Sequence, residues 1–364
     1  MADATILPFT SGRKTRVALL FGGRSGEHSI SAATAAGVLN AIDRSKYEVV
    51  PIGITRGGQW VLTSSDAAQF ELAGGHLPEV TEDSGRALDT LSDAGPIDVV
   101  FPVLHGPFGE DGTIQGLLEM AGVRYVGCGV LASAVGMDKH YMKIALAAAG
   151  LPVGPYVVVH PRDWERRQAE IVAEASKLDF PVFVKPSRAG SSLGVTRVDD
   201  IAHLVGAVDL ARFHDPKVLI EQGIEGREIE CAVLGGRGGA PARASVPGEV
   251  VVDHDEADFY DFEAKYLSAS QARTDAPADL PESITATIQE YAVRAFEAIG
   301  GEGLSRVDSF VTPEGDVIIN EINTMPGFTP ISMYPKMWEA SGLAYPDLID
   351  QLIQLAVERP IGLR

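Results

Sequence analysis

Short apolar runs alternate along the chain with segments that carry apolar residues at helical spacing, and turns rich in glycine separate them. The run at 15–23 ends in two glycines and leads into a small-residue helical segment with Ser25 as its predicted N-cap. Residues 47–55 and 97–106 repeat the pattern of a buried strand. A strand, a glycine turn and a helix in this order predict an α/β fold that opens with a parallel sheet.

Residues 304–323 have the pattern of a β-hairpin, because β-forming residues flank the turn sequence Pro-Glu-Gly-Asp at 313–316. A four-residue loop here pairs Thr312 with Val317 and sets the register of the two strands. Since directly paired residues share a face of the sheet, four polar side chains then project from one side: Arg306 with Asn323, and Asp308 with Glu321. The apolar side chains predicted for the other side are Val307, Ile318 and Ile322.

The polar side of this hairpin is a candidate metal site. Burying carboxylates without partners is costly, so such groups are normally paired or bound to a cation. Carboxylate and amide oxygens suit Mg²⁺ better than Zn²⁺, and Mg²⁺ commonly accompanies a nucleoside triphosphate. The alternative interpretation is a surface hairpin whose polar side lies in water.

Two β-rich runs in residues 180–198 flank a loop of glycine, serine and arginine, which predicts a second hairpin. Lys185 ends the apolar first run, so we expect it to be partly buried beside an anion. The loop at 187–194 could present backbone amides and hydroxyls to phosphates, although the chain has no GxxxxGK[ST] motif. Another pair of strands is predicted at 217–235.

A polar and aromatic segment at 248–274 is predicted to be a long irregular loop, and loops of this length often act as lids. Helical spacing predicts helices near 140–151, 163–178, 281–300 and 334–358.

Composition and charge limit the classes of function. The chain has 364 residues, of which 45% are hydrophobic, enough for two or three domains with their own cores. A formal charge of −20 argues against broad binding of nucleic acid or of an anionic membrane. No signal peptide or membrane-spanning run is recognised, and Cys128 and Cys231 stand far apart without a zinc-site pattern. We therefore expect a cytoplasmic protein.

Eight sequence segments occur in a set order: GGRSGEHSIS, HGPFGEDG, MDK, VKPSRAGSSLGV, LIEQGIEGRE, DFYDFEAKYL, RVD and NEINTMPGFTPISM. In these segments nearly the whole chain resembles the ATP-grasp superfamily and, within it, the D-alanine–D-alanine ligase family. The resemblance implies a three-domain α/β fold in which antiparallel sheets of the last two domains grip ATP. The implied domains are an N-terminal substrate domain at 1–137, a central subdomain at 138–222, and a C-terminal subdomain at 223–364 with a lid at 248–274.

The resemblance also implies a role for individual residues. The implied ATP contacts are Lys139, Lys185, Ser192, Glu221 and Glu228. The implied ligands of two Mg²⁺ ions are Asp308, Glu321 and Asn323. The residues implied to bind the two D-alanines are Glu27 and His105 for the first, and Lys265 and Ser332 for the second. The implied catalytic groups are a triad of Glu27, Ser191 and Tyr266, together with Arg306 and the backbone of Gly327 around the tetrahedral centre.

The implied reaction joins two D-alanines through a D-alanyl phosphate, releases ADP and phosphate, and supplies a precursor of peptidoglycan. The resemblance admits Mn²⁺ in place of Mg²⁺ and a monovalent cation, and it implies a homodimer. The alternatives are a D-alanyl-D-lactate or D-alanyl-D-serine ligase, another ATP-grasp carboxylate–amine ligase, and a nucleotide-binding sensor without catalysis. Tyr266 favours an amino-acid acceptor. Gly223 stands where we expect a bulky residue of the adenine pocket.

Overall fold

The structure is a computed structural model that describes residues 13–71, 77–191, 193–252 and 272–361. The described residues form three β-sheets that follow one another along the chain, each with helices packed against it. None of the described helices combines the length and the apolar character needed to cross a bilayer.

The first sheet is mixed. Its strands are β1 (Thr15–Gly22), β2 (Tyr47–Ile54), β3 (Trp60–Thr63), β4 (Gly85–Leu88), β5 (Val99–Pro102) and β6 (Arg124–Tyr125). They lie in the order β4-β3-β2-β1-β5-β6, and the four strands from β2 to β6 are parallel, as predicted. The antiparallel strands β3 and β4 extend the sheet beyond β2, and neither was predicted.

Three helices belong to this part of the chain: α1 (His28–Ala41), α2 (Thr113–Met120) and α3 (Val130–Met137). The prediction that Ser25 caps α1 is wrong, because Glu27 holds the N-cap position and makes no side-chain capping bond. Small residues on α1 allow a close approach of a later segment, since a Cβ on Gly37 would lie 2.8 Å from the Pro330 side chain.

The second sheet is antiparallel in the order β7-β10-β8-β9. Its strands are β7 (Tyr156–Val159), β8 (Val182–Pro186), β9 (Thr196–Val198) and β10 (Val218–Gln222). Helices α5 (Trp164–Ala175) and α6 (Leu204–His214) pack on this sheet, whereas α4 (Lys139–Ala148), which precedes it in the chain, packs Met142 and Leu146 in the core of the third sheet. Apolar residues of α5 and α6 cover one side of the sheet in a single core.

The third sheet is antiparallel in the order β14-β13-β11-β15-β16, with β12 beside β11. Its strands are β11 (Arg227–Leu234), β12 (Arg243–Ala244), β13 (Gly248–Val252), β14 (Ala272–Asp275), β15 (Leu304–Val311) and β16 (Val317–Asn323). Helix α7 (Glu282–Ala298) packs on its apolar side. The predicted loop at 248–274 is therefore strand at both ends, and its residues 253–271 lie outside the part that the structure describes.

The predicted hairpin is present with its outer pairs confirmed: Arg306 with Asn323 and Asp308 with Glu321. The predicted pairing at the turn is wrong, since Val317 pairs with Val311 instead of Thr312. A β-bulge next to Asp308 absorbs this one-residue difference.

The bulge also changes which apolar residues face the core. Val307 and Ile322 are buried as predicted, but Ile318 is paired with Phe310 and lies on the polar side. Ile319 takes the core position that was predicted for Ile318. An extra residue on one strand reverses the inside–outside alternation beyond it, which explains the exchange.

The C-terminal helices return to the first sheet. They are α8 (Met333–Ala340) and α9 (Tyr345–Glu358). Leu348 and Leu352 of α9 share one core with Leu19 and Phe21 of β1. One side of the first sheet is thus completed by residues from the other end of the chain.

Candidate active site

Two lysines contact one buried carboxylate in the second sheet. Glu221 on β10 lies with Oε2 2.5 Å from Lys185 Nζ and with Oε1 3.4 Å from Lys143 Nζ. The Lys143 side chain is only 2% exposed. Burial alone would raise the pKa of Glu221, but the charges of Lys185 and Lys143 outweigh it and lower that pKa. Glu221 is therefore ionised, and Lys185 is partly buried beside an anion, as the sequence predicts.

Lys139 connects this cluster to the third sheet. Its Nζ lies 3.2 Å from Glu321 Oε2 on β16 and donates to the Ala189 carbonyl at 2.9 Å. Burial would raise the pKa of Glu321, but Lys139, Lys185 and the Arg306 guanidinium together lower it to about 2. The residues implied to contact phosphates and those implied to bind metal thus form one continuous polar surface.

A buried ion pair holds the start of α4. Asp138 is the N-cap of this helix and accepts from Lys217 Nζ at 2.7 and 3.0 Å. It also accepts from the Ser187 hydroxyl at 2.9 Å, where the glycine-rich loop begins. The Lys139 backbone amide donates to the Ser187 carbonyl at 3.0 Å. One carboxylate therefore fixes the helix that presents Lys139 relative to that loop.

The polar side of the third sheet carries the candidate metal ligands. Arg306 donates from Nε and Nη2 to both Asp308 oxygens, at 2.7 and 2.6 Å. Asn323 Nδ2 donates to Asp308 Oδ2 at 3.0 Å. Glu230 on the neighbouring strand β11 lies with Oε2 3.1 Å from Arg306 Nε. The site therefore has two acids around one guanidinium.

The donor set fits a divalent cation in its chemistry. Asp308, Glu321 and Asn323 share one side of the hairpin and offer carboxylate and amide oxygens, the ligands that Mg²⁺ prefers. Within the described ranges, no three His, Cys, Asp or Glu side chains gather as a metal-binding group. The candidate site thus has two acids and an amide, and Glu230 does not add a third acid to it.

A second cluster lies at the carboxyl end of the first sheet. The Ser191 hydroxyl donates to Glu27 Oε1, and Ser191 holds a φ of +50°, which is uncommon for a residue other than glycine. The Glu27 carboxylate lies under two glycines, because a Cβ on Gly106 would come 2.6 Å from Oε2 and one on Gly190 would come 3.2 Å from it. The glycine-rich loop therefore reaches across to the N-terminal sheet and closes over Glu27.

His105 and the segment after β16 meet beside this cluster. Buried His105 lies with Nδ1 3.1 Å from the Met325 carbonyl and with Nε2 3.2 Å from the Thr34 hydroxyl. Burial lowers the pKa of His105, so its ring is neutral. The segment that contains Gly327 is thereby bound to the first sheet. Ser332 contacts the Thr329 hydroxyl at 2.7 Å near the start of α8.

Glu110 is a further acid of this region. The Gly106 amide donates to its Oε2 at 2.5 Å. Burial, together with the negative charge of Glu27, raises the pKa of Glu110 to about 8. Glu110 therefore keeps its proton at neutral pH, unlike Glu221 and Glu321.

Most of the implied site residues come together on these surfaces, and three of them fall in parts of the chain that the structure does not describe: Ser192, Lys265 and Tyr266. Glu228 is exposed on β11, on the same side of the strand as Glu230. Lys143 and Glu230 were missed. Their spacing could have indicated them, because Lys143 follows Lys139 by four residues on a helix and Glu230 follows Glu228 by two residues on a strand. Each therefore lies on the same face as a predicted site residue.

Two family models match the chain. The model described as D-ala D-ala ligase N-terminus matches residues 16–128. The model described as D-ala D-ala ligase C-terminus matches residues 145–354. Together they include all three sheets.

Curated relatives match over nearly the full length. A protein from Arthrobacter sp. (strain FB24), named D-alanine–D-alanine ligase, is 57% identical over 96% of this chain and 96% of its own. A protein of the same name from Streptomyces avermitilis is 52% identical over 97% of this chain and 96% of its own.

Solved structures have the same fold. The D-alanine–D-alanine ligase from Coxiella burnetii superposes with a TM-score of 0.80 at 38% identity, covering 95% of this chain and 96% of its own. A D-Ala:D-Ser ligase from Enterococcus faecalis gives a TM-score of 0.78 at 35% identity, covering 94% of this chain and 100% of its own.

Proposed function

Because the chain belongs to the D-alanine–D-alanine ligase family, we propose that it joins two D-alanines to D-alanyl-D-alanine, with ATP converted to ADP and phosphate. The observation that carries this proposal is the contact between Lys139 and Glu321, which unites a phosphate-binding surface with a metal-binding one. The product serves as a precursor of peptidoglycan. The domains are 1–137 for the first substrate, and 138–222 with 223–364 for ATP.

ATP lies between the second and third sheets. Lys139 and Lys185 contact its phosphates, since both are partly buried cations with a carboxylate partner that a phosphate could replace. Glu221 is the acid on the adenine side, and Glu228 is the acid on the ribose side. Ser192 completes the loop over the phosphates.

Asp308, Glu321 and Asn323 would hold two Mg²⁺ ions, or Mn²⁺ in their place. Held there, the ions would supply positive charge that offsets the repulsion between the γ-phosphate and an anionic nucleophile. The protein's part is to hold three oxygen donors on one side of a hairpin and to keep cations next to the acids. The family resemblance also admits a monovalent cation as a further ion.

The first D-alanine lies at the Glu27 cluster. Glu27 pairs with its ammonium group, Ser191 holds Glu27 in place, and neutral His105 lines the pocket. The carboxylate of this D-alanine attacks the γ-phosphorus, the bond to the bridging oxygen of ADP breaks, and D-alanyl phosphate forms. Orientation of the carboxylate by fixed groups supplies much of the acceleration.

The second D-alanine binds through its carboxylate to Lys265 and Ser332. Its amine attacks the acyl carbon, and Arg306 with the Gly327 amide stabilises the oxyanion that develops. Loss of one such donor typically lowers kcat by about 10²–10³-fold. The amine loses a proton to Tyr266 or to the phosphate group, and phosphate then leaves. Closure of the lid proposed between β13 and β14 keeps water from the acyl phosphate.

The test is phosphate release from ATP and Mg²⁺ with D-alanine, L-alanine, D-serine or D-lactate, followed by mass measurement of the products. We expect release with D-alanine and the mass of D-alanyl-D-alanine. The reaction with D-serine is an important comparison, because one structural relative is a D-Ala:D-Ser ligase. Release only when D-serine or D-lactate accompanies D-alanine would assign a different acceptor, and absence of release from any mixture would contradict the proposal. A homodimer is the proposed assembly, to be checked by sedimentation.

A further inference from the structure

The guanidinium of Arg306 lies between two carboxylates, one of which is a proposed metal ligand. We propose that Glu230 is a positioning residue that retains Arg306 when a divalent cation takes Asp308. This inference rests on the proposed function, because it concerns how the oxyanion donor and the metal site coexist.

The sheet register brings the three side chains together. Glu230 on β11 is paired with Asp308 on β15, so both project from the same side of the third sheet. Arg306 lies two residues before Asp308 on that side and is paired with Ala232, whose small side chain leaves room for the guanidinium. The exposed fractions of the side chains are low, 19% for Arg306, 14% for Glu230 and 15% for Asp308.

Asp308 already uses both oxygens within the protein. It accepts two hydrogen bonds from Arg306 and one from Asn323. A cation bound to Asp308 takes lone pairs from these oxygens and repels the positive guanidinium. Since a mostly buried cation without a partner is costly, Arg306 then needs another carboxylate.

Glu230 meets this need and is itself outside the metal donor set. Its Oε2 lies 3.1 Å from Arg306 Nε, on a different strand from the proposed ligands. Because no three acids gather as a metal-binding group in the described part of the chain, Glu230 does not join Asp308 and Glu321 as a third acidic ligand. The geometry therefore assigns it to Arg306.

A double-mutant cycle on metal affinity tests this assignment. The dissociation constant of Mg²⁺ is measured by calorimetry in the presence of ADP for the wild type, Glu230→Gln, Arg306→Met and the double variant. In Glu230→Gln, Asp308 can release Arg306 only by leaving it unpaired, so we expect Mg²⁺ to bind about tenfold more weakly. In the Arg306→Met background the same substitution should change the constant by about twofold or less.

Glu249→Gln is the matched control. Glu249 also pairs with an arginine of the third sheet, Arg227, and its side chain is likewise 14% exposed. We expect no change in Mg²⁺ affinity for this variant. Circular dichroism checks the fold of each protein, and Arg306→Gln replaces Arg306→Met if the latter does not fold.

Equal weakening with and without Arg306 would make Glu230 a direct metal ligand and overturn the proposal. So would an unchanged affinity in Glu230→Gln. Because the cycle needs only ADP and Mg²⁺, it can be measured whether or not the protein joins D-alanines. If the wild type binds Mg²⁺ with ADP but releases no phosphate with D-alanine, the proposed function is contradicted. The double-mutant cycle then still decides whether Glu230 positions Arg306.

Discussion

Lys139 at the start of helix α4 lies 3.2 Å from Glu321 on the last strand of the third sheet. Met142 and Leu146 of this helix pack in the core of the third sheet, and the same Lys139 ammonium donates to the Ala189 carbonyl of the glycine-rich loop. Lys139 therefore connects the third sheet to that loop. Acids and cations of the candidate site neutralise each other throughout: Lys185 with Glu221, Lys139 with Glu321 and Arg306 with Asp308. Under the proposed function, phosphate would replace a carboxylate beside Lys139 and Lys185, and a divalent cation would replace the cationic partners of Glu321 and Asp308.

Glu321→Gln should abolish ligation while preserving the fold. The amide keeps the shape of the side chain but removes the charge that both Lys139 and a divalent cation require. We expect phosphate release with D-alanine to fall by about 10²-fold or more, as for other losses of charge stabilisation in a transition state. The control is Glu358→Gln, which removes an acid from a surface pair with Arg237. Full ligation by Glu321→Gln would contradict the assignment of Glu321 as a metal ligand.

Lys217→Met should destabilise the protein strongly. It leaves the Asp138 carboxylate buried without its cation, and removal of one partner of a buried pair typically costs about 3–5 kcal/mol. Urea unfolding measures the loss, and Asp138→Asn in the same protein should restore part of it. The KM for ATP should also rise, because Asp138 fixes the helix that presents Lys139. Lys46→Met, from an exposed pair with Asp350, should change stability by less than about 1 kcal/mol. An equally small change in Lys217→Met would show that the buried pair does not hold α4.

Glu110→Gln should make stability less dependent on pH. Burial and Glu27 raise the pKa of Glu110 from 4.5 to about 8, so between these values the folded protein holds a proton that the unfolded chain releases. The contribution of Glu110 to the free energy of unfolding is therefore fully present below about pH 4.5 and is lost as pH rises through about 8. At about 1.4 kcal/mol per pKa unit, the loss reaches about 5 kcal/mol. Unfolding in urea at pH 5 and at pH 8.5 should show a smaller difference for the variant. An equal difference would mean that Glu110 is ionised in the folded protein at neutral pH.

Gly223→Ala should lower stability. A Cβ at this position would lie 2.7 Å from the Pro181 carbonyl oxygen and 3.2 Å from the Phe183 ring. Overpacking of this kind typically costs about 1–3 kcal/mol, which urea unfolding can measure. The same substitution at Gly206 on α6, where a Cβ meets nothing within 4 Å, is the control. The glycine that stands in place of a bulky residue is thus explained by close packing, and an unchanged stability would refute this explanation.

The hairpin illustrates what the sequence could predict and why the rest was beyond it. The register taken from a four-residue turn paired Arg306 with Asn323 and Asp308 with Glu321, and both pairs are present. The loop was one residue longer than the turn sequence suggested, and a bulge restored the register further out. The alternation of polar and apolar residues does not reveal this bulge, because residues 317–319 are all apolar. Either Ile318 or Ile319 could therefore face the core.

Contacts between distant elements were also beyond local pattern. Lys143 and Glu230 have the right spacing to share a surface with predicted site residues, but helix and strand periods do not reveal which charges will meet. The Lys217–Asp138 pair joins residues 79 positions apart, and only the packing of α4 against the loop brings them together. Recognition of the motifs supplied the proposed site residues, whereas the ion pairs that surround them required the tertiary structure.

The shared core of β1 and α9 has a consequence for synthesis on the ribosome. Leu19 and Phe21 leave the exit tunnel more than 300 residues before Leu348 and Leu352, which cover the same side of the first sheet. Since domains generally fold in the order of their synthesis, one apolar side of the N-terminal sheet stays incompletely covered until α9 has been synthesised. A chain that ends between β6 and α9 therefore exposes apolar residues of β1, even though its first sheet is fully translated.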